Sequence, residues 1–171
     1  MKSRSGFTLI ELTIVVAIMA VALVFVVSRF DNIIPSARIR AQARKMSANI
    51  EAAFSRAAAS GKPVAIIYDL NDQLYALAEP GEGAEMNPEN MQRFAEHYLP
   101  SSISIVNLVV GEDSERTGIH AVIASPKGRV KAHSVFLEDR AERQVTIEVA
   151  PLTGVTSILR GHVEPRAPLE E

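Results

Sequence analysis

The sequence predicts an α+β fold: a long N-terminal α-helix, membrane-spanning in its first half and amphipathic in its second, packed on a C-terminal antiparallel β-sheet domain. Three observations predict it. From Phe7 to Val27 every residue is apolar except Thr8, Glu11 and Thr13. Between Ile39 and Ala57 the apolar residues recur at the three- and four-residue steps of one helix face. After Gly61 the period changes to that of strands, with turn residues between the runs. A chain of 171 residues has room for one modest domain and an appendage of this kind.

Composition narrows the function classes. The 18 basic and 20 acidic residues leave a net charge of -2, so no global electrostatic footprint points to nucleic acid. Without cysteine the chain has neither a disulfide framework nor a thiolate metal site, and it must be held together by core packing. The hydrophobic share, 47%, is high for this length, and much of the excess lies at the N-terminus.

The element at residues 7–28 reads as a membrane helix, because at about 1.5 Å per residue it spans the roughly 30 Å hydrocarbon core of a bilayer. A removable secretory signal is the alternative, with Ala20-Val21-Ala22 as the cleavage site. Two features weigh against it: Glu11 lies inside the run, and apolar residues continue through Leu23, Val24, Phe25, Val26 and Val27. Burying that carboxylate costs up to about 2.5–3.5 kcal/mol at mid-membrane and less near a helix end, so Glu11 calls for a partner. Counting basic residues on the two flanks, Lys2 and Arg4 against Arg29, Arg38, Arg40, Arg44 and Lys45, would keep the C-terminal side in the cytoplasm.

The N-terminal residues overrule that count. Lys2-Ser3-Arg4-Ser5-Gly6-Phe7-Thr8-Leu9-Ile10-Glu11 resembles the cleavage and methylation motif of type IV pilins and type II secretion pseudopilins. The resemblance implies a leader peptide at residues 1–6, cleavage between Gly6 and Phe7 by a prepilin peptidase at the cytoplasmic face, and N-methylation of Phe7 by the same enzyme. It also implies that Glu11, the family's glutamate, serves subunit assembly. Independent chemistry agrees with these assignments. Glycine before the cut presents no side chain to the peptidase. The new amine on Phe7 is a cation at the same membrane depth as Glu11, four positions later on one helix face.

Residues 29–61 continue the helix as an amphipathic segment: Ile39, Ala43, Met46, Ile50, Phe54 and Ala57 form the apolar face, and Arg38, Arg40, Arg44, Lys45, Glu51 and Arg56 lie mostly off it. Pro35 predicts a kink by crowding the carbonyl of Asp31, and Gly61 with Pro63 predicts the stop. Residues 62–163 form the β-rich domain. A hairpin is predicted from Val64–Leu70 and Gln73–Ala78, turning at Asn71-Asp72, followed by an acidic loop over Glu79–Glu85. Asn87-Pro88 predicts the cap of a short helix through Tyr98, ended by Leu99-Pro100. Strands are predicted at Ser102–Val110, Ile119–Ala124, Val130–Leu137, Val145–Val149 and Val155–Leu159, with Ser125-Pro126-Lys127-Gly128 turning between the second and third, and with an alternating core. The tail, residues 164–171, predicts disorder.

The run SPKGRVKAHSVFL followed by VTIEVAPLTGV resembles the H-type minor pseudopilins of type II secretion and the related minor pilins. That resemblance implies a structural subunit with no cofactor, anchored singly in the bacterial inner membrane, N-terminus cytoplasmic and C-terminal domain periplasmic. Its partners would be other pseudopilins in a hetero-oligomeric periplasmic filament, the prepilin peptidase/methyltransferase, the inner-membrane assembly platform and the lipid bilayer, with no nucleic acid. The alternative is a minor type IV pilin acting in pilus assembly or in DNA or surface binding. A membrane-anchored enzyme is disfavoured. His97, His120, His133 and His162 are scattered and read as surface or turn residues, and Ser55, Ser60 and Ser125 lack the context of a nucleophile. The acids Glu79, Glu82, Glu85 and Glu89 read as a solvated loop.

Overall fold

The computed structural model describes residues 8–30, 33–80 and 87–163, with side chains from 24 to 30 and from 33 to 36 left aside. The chain divides into two units, Met1–Ala37 and Arg38–Glu171.

The first unit holds helix α1, Leu9–Phe30, and the start of α2, Ile33–Ser60. Thr8 opens α1 as its cap: its carbonyl and its hydroxyl accept the Glu11 amide hydrogen at 3.1 and 3.3 Å. Every described side chain of α1, through Leu23, is exposed. Among the described residues no helix is long and apolar enough to cross a membrane; in the sequence the apolar run continues past Leu23 to Val27. Pro35 sits in the first turn of α2, where an amide hydrogen has no intrahelical acceptor and proline costs little. The kink expected against Asp31 falls outside the described residues.

In the second unit all six residues of the predicted α2 face, Ile39, Ala43, Met46, Ile50, Phe54 and Ala57, are buried. They pack with the inner faces of two antiparallel sheets. One sheet has the order β3 (Gln92–Tyr98), β2 (Leu74–Glu79), β1 (Val64–Asp69), β6 (Ile119–Ala124). The other runs β5 (Asp113–Glu115), β4 (Ile103–Val110), β7 (His133–Asp139), β8 (Gln144–Val149), β9 (Thr156–Arg160).

The predicted hairpin forms with β1 paired to β2. Its turn closes because the Asp69 carboxylate accepts the amide hydrogens of Asn71 and Asp72, both at 3.0 Å, while Gln73 takes φ +53°. Gln73 then clasps the second sheet: its side-chain amide donates to the Ile105 carbonyl at 3.2 Å and accepts the Ile105 amide hydrogen at 2.6 Å. Alternation fails in this hairpin. All six residues of β1 are buried, since Ile66 and Tyr68 face α2 while Ala65 and Ile67 join Leu74, Ala76, Ala78 and Met91 in a second cluster on the opposite face. The 3₁₀ turn Pro88–Asn90, packed against β6, helps to cover that face.

Two further expectations are corrected. The predicted helix from Asn87 to Tyr98 is that single 3₁₀ turn followed by strand β3. Asn87 does cap, accepting the Glu89 amide hydrogen at 3.0 Å. Beyond it, however, QRFAEHY alternates between exposed and half-buried residues, and the pairing offered by the edge of β2 outweighs the cap signal. The Ser125–Gly128 turn forms, with the Gly128 amide bonded to the Ser125 carbonyl at 3.0 Å. Instead of joining paired strands it carries the chain from one sheet to the other, and β7 starts only at His133 because the Val130 amide is taken by the Pro151 carbonyl at 2.9 Å. The predicted acidic loop and C-terminal tail lie outside the described residues over 81–86 and 164–171.

Candidate functional site

Gly6 and Phe7, predicted as the cleavage pair, lie outside the described residues. Glu11 is described, exposed in the first turn of α1. A carboxylate there gains about 0.3–1 kcal/mol from the helix dipole at an exposed site. The spacing Thr8-x-x-Glu11 is also that of a capping box, a signal present in the sequence that the reading of Glu11 as an intramembrane charge passed over.

The polar groups of the apolar run differ in how they are satisfied. The Thr8 hydroxyl caps the helix, and the Thr13 hydroxyl donates back to the carbonyls of Leu9 at 2.9 Å and Ile10 at 3.0 Å. Both threonines are thereby compatible with hydrocarbon. Among the described residues the Glu11 carboxylate has no partner.

In the second unit the histidines form no site. His97 packs on Tyr75 with ring centroids 5.0 Å apart, His162 stacks on Phe136 at 4.4 Å, and His120 bonds the Thr117 carbonyl. His133 corrects the surface reading, being only 2% exposed. Its Nδ1 lies 2.9 Å from the Lys131 carbonyl and its Nε2 2.9 Å from the Tyr68 hydroxyl, so the neutral ring donates to one and accepts from the other. Burial lowers its pKa to about 4, against the smaller raising effect of the Lys131 carbonyl. Burial also raises that of Tyr68 beyond its ordinary range. This pair ties β1 to β7, two strands of different sheets.

The serine hydroxyls are occupied locally: Ser55 donates to the Glu51 carbonyl at 3.1 Å, and Ser125 accepts the Arg129 amide hydrogen at 3.1 Å. Among the described residues no group of three metal-ligating side chains converges. The basic residues divide by helix face. Arg38 and Lys45, with Ala41 and Gln42, line an open groove of about 440 Å³ against Pro100, Ser102 and Ile103. On the other flank of α2, the Thr156 hydroxyl donates to Glu51 at 2.6 Å and accepts from Ser47, which seams the helix to β9.

Comparison with known proteins bears on both units. Residues 1–27 match the prokaryotic N-terminal methylation motif. Over 85 residues the chain is 34% identical to type II secretion system protein H of Escherichia coli (strain K12). That match spans about half of each chain, 48%. Among solved structures, the minor pseudopilin EpsH from the type 2 secretion system of Vibrio cholerae superposes with a TM-score of 0.53 at 12% identity, covering 72% of this chain and 97% of that one. The solution structure of E. coli GspH gives 0.54 at 18% identity, covering 76% and 92%. The chain therefore opens on the prokaryotic N-terminal methylation motif and continues into the pilin-like α+β fold that EpsH and GspH share.

Proposed function

We propose that this protein is a minor pseudopilin of H type, a structural, non-enzymatic subunit of the periplasmic filament of a type II secretion system. The carrying observation is the state of α1: an apolar helix with every described side chain exposed and both threonine hydroxyls accounted for, but with one carboxylate, Glu11, left without a described partner. Such a helix is suited to lipid and then to packing among its own kind, and its carboxylate waits for a cation supplied by processing. On this reading residues 1–6 are the leader, residues 7–28 anchor the chain in the inner membrane, and 29–61 extend the helix. Residues 62–163 form the periplasmic domain. A minor type IV pilin would carry the same N-terminus; partners crosslinked in the membrane, secretion components or pilus subunits, separate the two.

Two measurements test the proposal. Intact mass and N-terminal sequencing of membrane-purified protein are expected to give a chain starting at Phe7 with one added methyl group. A chain beginning at Leu23, or an uncut one, overturns the assignment. Glu11→Leu removes a desolvation penalty, so a purely lipid-facing role predicts an unharmed or better-inserted protein. The pairing role predicts the reverse. The variant is expected to be cleaved and inserted normally while its crosslinking to filament subunits falls to background, because the Phe7 amine of a neighbour loses its counter-charge. Equal crosslinking at matched membrane levels removes Glu11 from assembly.

A further inference from the structure

The open groove beside α2 carries positive charge with nothing to meet it. Arg38 and Lys45 lie seven positions apart, two turns along one flank of the helix, and both line the groove, with Ala41 between them and Pro100 and Ile103 opposite. A third cation stands on the loop wall, because the Arg140 guanidinium donates to the carbonyl of Ser101 at 3.3 Å. Among the described residues none of the three has a carboxylate partner. The helix supplies none either, since the first acid of α2 is Glu51 and it bonds Thr156 on the other flank.

The last described residues head toward this groove. Phe136 and Thr146 stand opposite each other on β7 and β8, turned away from the core that their neighbours Val135, Leu137, Val145 and Ile147 enter. After β9 the chain crosses that outer face. The Thr146 hydroxyl donates to the Gly161 carbonyl at 2.8 Å and accepts the Val163 amide hydrogen at 3.2 Å, and the His162 ring stacks on Phe136. The direction is from β9 over β8 to β7, and the next strand is β4. Its first residue, Ile103, pairs with Asp139, three residues along β7 from Phe136. The loop wall of the groove therefore lies about 10 Å across the sheet from Val163 and about 10 Å along it. The six residues from Val163 to Leu169 reach about 20 Å when extended, and Pro165 and Pro168 bias them that way.

We propose that the residues after Val163 seat the sequence Pro168-Leu169-Glu170-Glu171 in this groove, within the same molecule. Leu169, the one large apolar residue between Glu164 and Glu171, covers Ala41 and Pro100. In an extended chain Glu170 and Glu171 point to opposite sides, so one carboxylate meets Arg38 or Lys45 on the helix and the other meets Arg140 across the groove. Three glutamates against one arginine give this segment the sign opposite to that of the three cations. While seated it withholds those cations from any other acidic partner, a second copy included. The contact lies wholly in the second unit, so it stands or falls separately from the processing of Phe7.

The test treats the full chain in a neutral detergent with a water-soluble carbodiimide, which joins a lysine amine to a carboxylate only where the two already touch, and reads the linked peptides by mass spectrometry. Lys131 and Asp113, 3.7 Å apart, supply the internal standard. Lys45 is expected to link to Glu170 or Glu171 at a yield comparable to that standard. In an equal mixture of isotope-labelled and unlabelled chains the link is expected to join like with like. Leu169→Ser removes the apolar contact and keeps both carboxylates; it is expected to lower the Lys45 yield by about threefold or more while the standard is unchanged. Arg140→Glu is expected to lower it comparably. No link from Lys45 to Glu170 or Glu171 while the standard forms, an equal yield of links from these glutamates to Lys62 or Lys127, or an unchanged Lys45 yield in both variants overturns the proposal. So do links between unlike isotopes, which would assign the groove to the same segment of a second copy.

Discussion

Gly154→Ala is expected to lower the unfolding free energy by about 3 kcal/mol, the sum of a backbone and a packing penalty. Gly154 has φ +64°, a conformation in which a β-carbon costs about 1–2 kcal/mol. A methyl group there also meets the ring of Phe54, with three ring atoms between 2.5 and 2.6 Å from the position it would occupy. Phe54 is buried in the core that α2 shares with the sheets, so overpacking adds about 1–3 kcal/mol. Gly61 supplies the control. Its φ is +67°, but nothing lies within 4 Å of the added carbon, so Gly61→Ala is expected to show the backbone penalty alone. Urea unfolding followed by circular dichroism in detergent measures both. Equal losses would mean that the contact with Phe54 contributes nothing.

Acid is expected to remove about 3 kcal/mol of stability between pH 6.5 and pH 4 through His133 alone. The sign follows from where the proton goes. In the folded protein burial holds the His133 pKa down at about 4, whereas in the unfolded chain it returns to the ordinary value near 6.5. Above pH 6.5 the ring is neutral in both states and its full contribution is present. As pH falls from 6.5 to 4 only the unfolded chain gains the proton, and stability declines by about 1.4 kcal/mol per pH unit. Below 4 the folded ring is protonated too and the loss from this group levels off. Asp139 acts lower: burial works to raise its pKa, but hydrogen bonds from Arg143 and from the Ala141 amide outweigh it and hold the carboxyl below its usual range. Its contribution is thus lost only at pH values under the His133 window. His133→Gln retains one donor and one acceptor without a titrating group, so the slope between pH 6.5 and 4 is expected to flatten. An unchanged slope would assign the acid sensitivity elsewhere.

What could be read from the sequence depended on whether a signal was local. The α2 face was legible because six buried residues recur at one period over five turns of helix, and the hairpin because Asp69 and Asn71-Asp72 carry their own turn chemistry. Strand β3 was misread because two local signals conflict: Asn87-Pro88 announces a helix, and the alternation that follows is amphipathic only beside β2. Strand β5, three residues long, is too short to show a period. The burial of His133 had no local signal, since its hydroxyl partner Tyr68 lies 65 positions away in the chain. At the N-terminus the motif was legible residue by residue, although the capping of Glu11 by Thr8 was overlooked beside the larger question of its charge.

The crossover at Ser125–Gly128 has a consequence for how the domain forms. Strands β1, β2 and β3 enter the first sheet, β4 and β5 the second, β6 returns to the first, and β7 to β9 complete the second. Neither sheet is contiguous in the chain: the first is complete only with β6, and the second only with β7 to β9. Closing the first requires β1 to find β6, as Val64 pairs with Ala124, across every residue of β4 and β5. Long-range pairing of this kind exacts loop-closure entropy before any contact repays it, which makes folding slow and cooperative. The second unit should therefore melt in one transition, and a chain emerging N-terminus first should gain protease resistance late, only once β6 and the strands after it are available.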